Sequence, residues 1–214
     1  MPSADTTDRL WDMNPIHSQA RRLVDAGRAA EAVQAYQHLL SAHPGNADGW
    51  YEYAWLLRRT GAPESALQAY ARALAAGLGG AEEVHLNRAV ILSEDLRRVE
   101  DAAIELQRAL SLRPDYAPAL LNLGKLQEDL GDWPAAISTY LRLSGQDTAL
   151  GLEALARLVQ IRLPEEALPE RLQRLAAAAA DPRLEDSLRA GLLFALGRCH
   201  EARRLPAQAF ACFA

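Results

Sequence analysis

Residues 47–78 read ADGWYEYAWLLRRTGAPESALQAYARALAAGL. Within this stretch Gly61 is followed by Ala66, Tyr70 and Leu78, and Ala54 precedes it by seven positions. The same ladder stands upstream as Ala20, Gly27, Ala32, Tyr36 and Pro44. Downstream it recurs as Arg97, Ala102, Leu106 and Pro114, and again as Gly124, Gly131, Ala136, Tyr140 and Thr148. Gly197, Arg204, Ala209 and Phe213 make a fifth copy. In the Arg97 copy the upstream small position falls on Val90, with Ala89 one residue earlier. Small and aromatic residues at fixed offsets, with Gly27 and Gly61 separated by 34 residues, mark an array of helical hairpins.

Inside each copy the apolar positions recur at helical spacing. Trp50, Tyr53, Ala54 and Leu57 form one stripe, Thr60-Gly61-Ala62 a turn, and Pro63 opens the next helix. Proline costs little at a first helical position, where the missing N–H has no partner anyway. Pro134 and Pro206 stand at nearly equivalent helix starts, and Pro44 and Pro114 at matching helix ends.

The chain divides accordingly into an N-terminal tail over 1–12, four units over 13–148, a degenerate unit or insert over 149–189, and an incomplete final unit over 190–214. The third unit follows the joint Gly77-Leu78-Gly79-Gly80, with a first helix from Val84 to Glu94 and a turn, Asp95-Leu96-Arg97-Arg98, one residue longer than its counterparts. Pro164 stops a helix that includes Leu163, and a further helix spans Ala167 to Ala180. The final helix carries Phe210 and Phe213 with little after them to cover an apolar face. Terminal repeats need a polar outer face, so either the chain is part of a longer protein or this end forms a homo-oligomer.

The ladder resembles the tetratricopeptide repeat (TPR). The resemblance covers roughly 13–148 and 190–214 and implies an all-α, right-handed solenoid of about five hairpins with a concave groove. It also implies a protein-binding scaffold without catalytic activity of its own. The stretches VHLNRAVIL (84–92), YAPALLNLG (116–124) and LFALGR (193–198) are similar to the TPR region that precedes the catalytic domain of bacterial TPR-containing sulfotransferases. That likeness would make the chain the recruiting or oligomerising front of a larger enzyme.

The net charge of −5 and the absence of any Lys/Arg-rich block lack the electrostatic footprint of nucleic-acid binding. No signal segment and no long apolar run stands out, so a cytoplasmic protein without membrane partners is expected. There is no phosphate-binding glycine loop and no His-Glu-x-x-His pair. Of His17, His38, His43, His85 and His200, none lies four residues from another on one helix, so neither a metal nor a cofactor is expected. Cys199 and Cys212 read as free thiols. Carboxylate pairs such as Glu82-Glu83 and Glu94-Asp95 read as solvated helix ends.

Function therefore falls to the groove, lined by the first helix of each hairpin. Its candidates are His17, Arg21 and Val24 in the first unit, and Asp48, Tyr51, Glu52, Trp55, Arg58 and Arg59 in the second. The third supplies Asn87, Val90 and Ile91, and the fourth Asn122, Lys125 and Asp129. Asn87 and Asn122 share a phase, and side-chain amides both donate and accept, which suits gripping the backbone of an extended peptide. Lys125, with Arg21 or Arg59, suits an acidic group or a C-terminal carboxylate. Tyr51 and Trp55 stand one turn apart on one face and form an aromatic anchor. Trp50 is a core residue by phase, and Trp133 an inter-repeat contact.

Overall fold

The structure, a computed structural model, describes residues 15–146, 148–161 and 168–213. The expectations for the tail 1–12, for the side chain of His17 and for the Leu163-Pro164 helix stop fall outside these residues. All regular elements among the described residues are helices. They form two compact units, one up to Leu112 and one from Arg113 onward.

The first unit holds α1 (Pro15–Asp25), α2 (Ala29–Ala42), α3 (Ala47–Arg59), α4 (Pro63–Ala75), α5 (Ala81–Val90) with a π-helical turn over Ile91–Asp95, and α6 (Val99–Leu112). Consecutive helices pack as the pairs α1·α2, α3·α4 and α5·α6. The core runs through Ala20, Ala32, Tyr36, Leu39, Ala54, Leu57, Ala66, Tyr70 and Val84. Trp50 packs on this core half-buried, its indole N–H donating to Pro44 O at 2.9 Å.

The second unit holds α7 (Ala117–Asp129), α8 (Trp133–Ser144), α9 (Ala149–Gln160), α10 (Leu168–Ala179), α11 (Asp186–Ala202) and α12 (Pro206–Phe213). The stretch where the ladder lapses is thus helical: α9 packs on α8, α10 and α11. Leu155, Val159, Leu172, Leu175, Leu192 and Leu196 form one cluster there. Helix α11 begins at Asp186, before the ladder resumes at Ala190. Trp133 is exposed at the start of α8 rather than enclosed between repeats.

The ladder has a packing cause. A Cβ on Gly124 would sit 2.4 Å from the Tyr140 ring, and one on Gly197 would sit 2.3 Å from the Phe213 ring. The small residue on the first helix is the seat for the large residue sixteen positions later on the second. The Tyr140 ring is fully buried, and interiors are packed too densely to give at such a contact. Ala20, Ala54, Tyr36, Tyr70 and Tyr140 are all buried at the same offsets.

The lead residues of the ladder also share a cause. Gly27, Gly61 and Gly131 take φ of 71°, 78° and 74°, and Arg97 and Arg204 take 56° and 58°. This left-handed residue ends each first helix, the position glycine favours because it has no Cβ. The residue after it donates back to a carbonyl five positions earlier, as in Arg28 to Leu23 O, Ala62 to Leu57 O, Asp132 to Gln127 O and Leu205 to His200 O.

The third hairpin departs from the sequence expectation in an informative way. Its turn is no longer than the others: Leu96-Arg97-Arg98 matches Thr60-Gly61-Ala62 and Leu130-Gly131-Asp132. The extra residue lies in the π turn over Ile91–Asp95, and the closing bond runs from Arg98 N to Leu92 O, six positions back. A π turn holds one more residue than an α turn, so it moves Arg97 back into the turn position. It also corrects two assignments. Ala89, not Val90, is the buried small residue, and Ile91 is fully buried instead of lining a groove.

Hairpin α5–α6 has Leu106 where its neighbours have tyrosine, and beside it the buried Glu105. This carboxylate accepts from Arg88 at 3.1 Å and Arg108 at 2.8 Å, and lies 2.7 Å from His85 Nδ1. Burial alone would raise its pKa. The hydrogen bonds and charges of Arg88 and His85 outweigh that and hold it below the usual carboxylate range. Arg88 also donates to Leu67 O at 2.8 Å and so ties α5 to α4.

Candidate peptide-binding face

Helix α3 is two-sided because its residues advance 3.6 per turn. Tyr53 and Leu57 face the core, while Trp55, 42% exposed, lies on the other side with Tyr51, Glu52 and Arg59. Beside that second side opens a cleft of about 560 Å³ lined by Arg21, Val24, Asp25, Tyr36, Tyr51, Glu52 and Trp55. The Arg59 guanidinium sits 4.6 Å from the Trp55 ring centroid, within cation–π range.

A hydrogen-bonded frame sets the walls. Glu52 accepts from Arg21 Nε at 2.8 Å and from the Tyr36 hydroxyl at 2.5 Å. The Tyr51 hydroxyl donates to Glu83 at 2.6 Å and accepts from Asn87 Nδ2 at 2.9 Å. Its ring meets Tyr70 edge-on at 5.5 Å. Burial first, then the carboxylates of Glu52 and Glu83, push the hydroxyls of Tyr36 and Tyr51 well above the ordinary tyrosine value. Both stay protonated donors, so Arg21, Tyr51, Trp55, Arg59 and Asn87 belong to one connected face of the first unit.

The other expected residues have different company. In the second unit Asn122 donates to Pro118 O of its own helix at 2.8 Å, and Lys125 pairs with Glu153 at 2.8 Å. Arg58 is held by Glu94 and Asp95, both at 2.7 Å, so this acidic pair binds α3 to the π turn. Cys199 is buried and Cys212 half-buried, both as free thiols. Among the described residues no cluster of His, Cys, Asp or Glu could hold a metal, and no helix is long and apolar enough to cross a membrane.

Two contributors were hidden from the sequence reading. Tyr36 reads as core, and its ring is core, but its hydroxyl reaches the cleft wall. Glu83 reads as a solvated helix end, yet it fixes Tyr51. Spacing carries no signal for either, because both act across helices, Tyr36 on Glu52 and Glu83 on Tyr51.

Helical hairpins that repeat a small–large contact define an α-helical repeat protein. The tetratricopeptide repeat family model matches residues 17–81 and 88–149, and the chain belongs to that family. No curated protein matches the sequence. Solved structures share the fold. A TPR protein from Parabacteroides merdae aligns over 92% of this chain and 75% of its own at 20% identity, with a TM-score of 0.69. PilW, described as a widely conserved type IV pilus biogenesis factor, aligns over 93% and 89% at 17% identity, with a TM-score of 0.66. YrrB, described as a TPR protein with an unusual peptide-binding site, aligns over 98% of both chains at 16% identity, with a TM-score of 0.58. These matches lend no support to the sulfotransferase resemblance.

Proposed function

We propose that the chain is a non-catalytic interaction module that takes an extended peptide or protein segment on the Tyr51–Trp55 face of its first unit. The observation that carries this reading is Trp55. A large aromatic 42% exposed beside a 560 Å³ cleft is the kind of residue that concentrates binding energy in an interface. The Asn87 amide, held by its bond to the Tyr51 hydroxyl, keeps a second N–H and its carbonyl oxygen for a backbone. The peptide-binding site named for YrrB supports the same class of partner.

One part of the sequence expectation changes. Arg21 is already paired with Glu52, Arg59 rests on Trp55 beside a cleft that holds Asp25 and Glu52, and Lys125 of the second unit is paired with Glu153, so gripping a carboxylate is not what this face is built for. Recognition rests on aromatic contact and backbone hydrogen bonds instead.

The test is a displayed random-peptide library selected on the wild-type chain, followed by fluorescence polarisation with a selected peptide. Trp55→Ala is expected to weaken binding on the order of thirtyfold, the ~2 kcal/mol of a hot-spot residue, with helical circular dichroism unchanged. Equal affinity for the variant, or no peptide selected at all, would overturn the reading.

A further inference from the structure

The opposite side of α3 faces a second cleft, of about 490 Å³, that the peptide face does not use. Helix α2 contributes Gln37 and Ser41, α3 contributes Trp50 and Tyr53, and α4 contributes Ser65, Gln68 and Arg72. On α4 the last three recur at i, i+3 and i+7, one face of a helix. No aspartate or glutamate lines this cleft, although the chain as a whole carries a net charge of −5.

Arg72 is the one charged residue in the lining of this cleft. Arg21, Arg28, Arg58, Arg88, Arg98 and Arg157 each pair with a carboxylate, and Arg59 lies over Trp55 beside a cleft lined by Asp25 and Glu52. Arg72 lies over the Trp50 ring, 4.8 Å from its centroid. Stacking orients a planar guanidinium without using its N–H donors, which remain a fork suited to a carboxylate. Trp50 is itself held by its bond to Pro44 O, and Gln37 by its 3.1 Å bond to the Tyr53 hydroxyl.

We infer that this cleft is a second docking site, for a protein segment that presents a single carboxylate side chain flanked by apolar residues. The carboxylate meets Arg72, with the Ser65 hydroxyl and the Gln68 amide alongside. The apolar neighbours lie against Pro44 and the Trp50 edge. One guanidinium is matched by one carboxylate. A phosphate dianion would leave unmatched charge on a chain that is already negative. Because the two clefts lie on opposite sides of α3, the module can hold two segments at once.

The probe is the peptide acetyl-Leu-Glu-Leu-amide, titrated into the ¹⁵N-labelled chain while the Trp50 indole N–H resonance is followed. That resonance is assigned by its loss in Trp50→Phe. Saturable movement of the signal is expected, with about tenfold weaker binding to Arg72→Gln, as for the loss of one charge-assisted pair. The Leu-Gln-Leu peptide should weaken to the same degree on wild type. Arg72→Lys keeps part of the affinity, and Ser65→Ala/Gln68→Ala weakens it without touching the Trp50 stack. Trp55→Ala leaves it unchanged, which separates this site from the peptide face. A Trp50 signal that does not move, equal binding of the Glu and Gln peptides, or displacement of the peptide by equimolar inorganic phosphate would overturn the inference.

Discussion

Hairpins α3–α4 and α5–α6 of the first unit answer one packing problem with different residues. In α3–α4 the buried ring of Tyr70 stands at the offset that seats it on Ala54, and Gly61 turns the chain at φ 78°. In α5–α6 the large residue is Leu106, the turn residue is Arg97 at φ 56°, and a π turn takes up an added residue. The aliphatic side chain is smaller than a tyrosine ring, and beside it the buried Glu105 carboxylate meets Arg108 on its own helix and Arg88 and His85 across on α5. What the array requires is a large side chain on a small seat and one left-handed residue in the turn. Tyrosine and glycine are the frequent solutions, and the third hairpin shows that neither is obligatory.

The largest test of this contrast is truncation. Tyr70→Ala should cost about 4 kcal/mol in urea unfolding, as for other large-to-small changes in cores. Leu106→Ala should cost less, about 2–3 kcal/mol, because less volume is lost and the Glu105 network remains. Equal losses would mean that the charged network adds nothing to the third hairpin.

Glu105→Gln sharpens the same point. It leaves Arg88 facing a neutral amide and should cost about 2 kcal/mol at neutral pH. The Glu105 pKa is depressed in the folded chain. Its stabilisation is therefore present above the unfolded glutamate value of roughly 4.3 and is lost as pH falls through the lower folded value. Wild type should exceed the variant in stability above about pH 5, and the two should converge in stronger acid. A gap that persists undiminished at about pH 2 would break the assignment.

The smallest effects lie in the turns. Gly61→Ala should lose about 1 kcal/mol, because a Cβ is strained at positive φ. Arg97→Gly, at the matching position, should gain about 0.5 kcal/mol by relieving that strain. Opposite signs in midpoint shifts would establish that both residues fill one backbone role. A loss from both would mean that Arg97 contributes through its side chain.

Much of the fold was legible in order alone. The small and large residues and the turn leaders recur along the chain, since each hairpin must seat the same side chain and reverse at the same angle. Both requirements are local, so they are written as spacing. The amphipathic spacing of α3 likewise separated Trp55 from Trp50 before any contact was visible.

Other features depended on which helices meet. That the added residue of the third unit enters a π turn, and not the loop, follows from two contacts held fixed around it: Ala89 in the core and Arg97 in the turn. Which charges are available is also a tertiary outcome. Arg21 meets Glu52, Lys125 meets Glu153 and Arg58 meets Glu94 and Asp95, while Arg72 rests on Trp50. Spacing along one helix fixes which face a side chain occupies. Pairing across helices depends on distances between residues roughly thirty positions apart, and those exist only once the hairpins have packed.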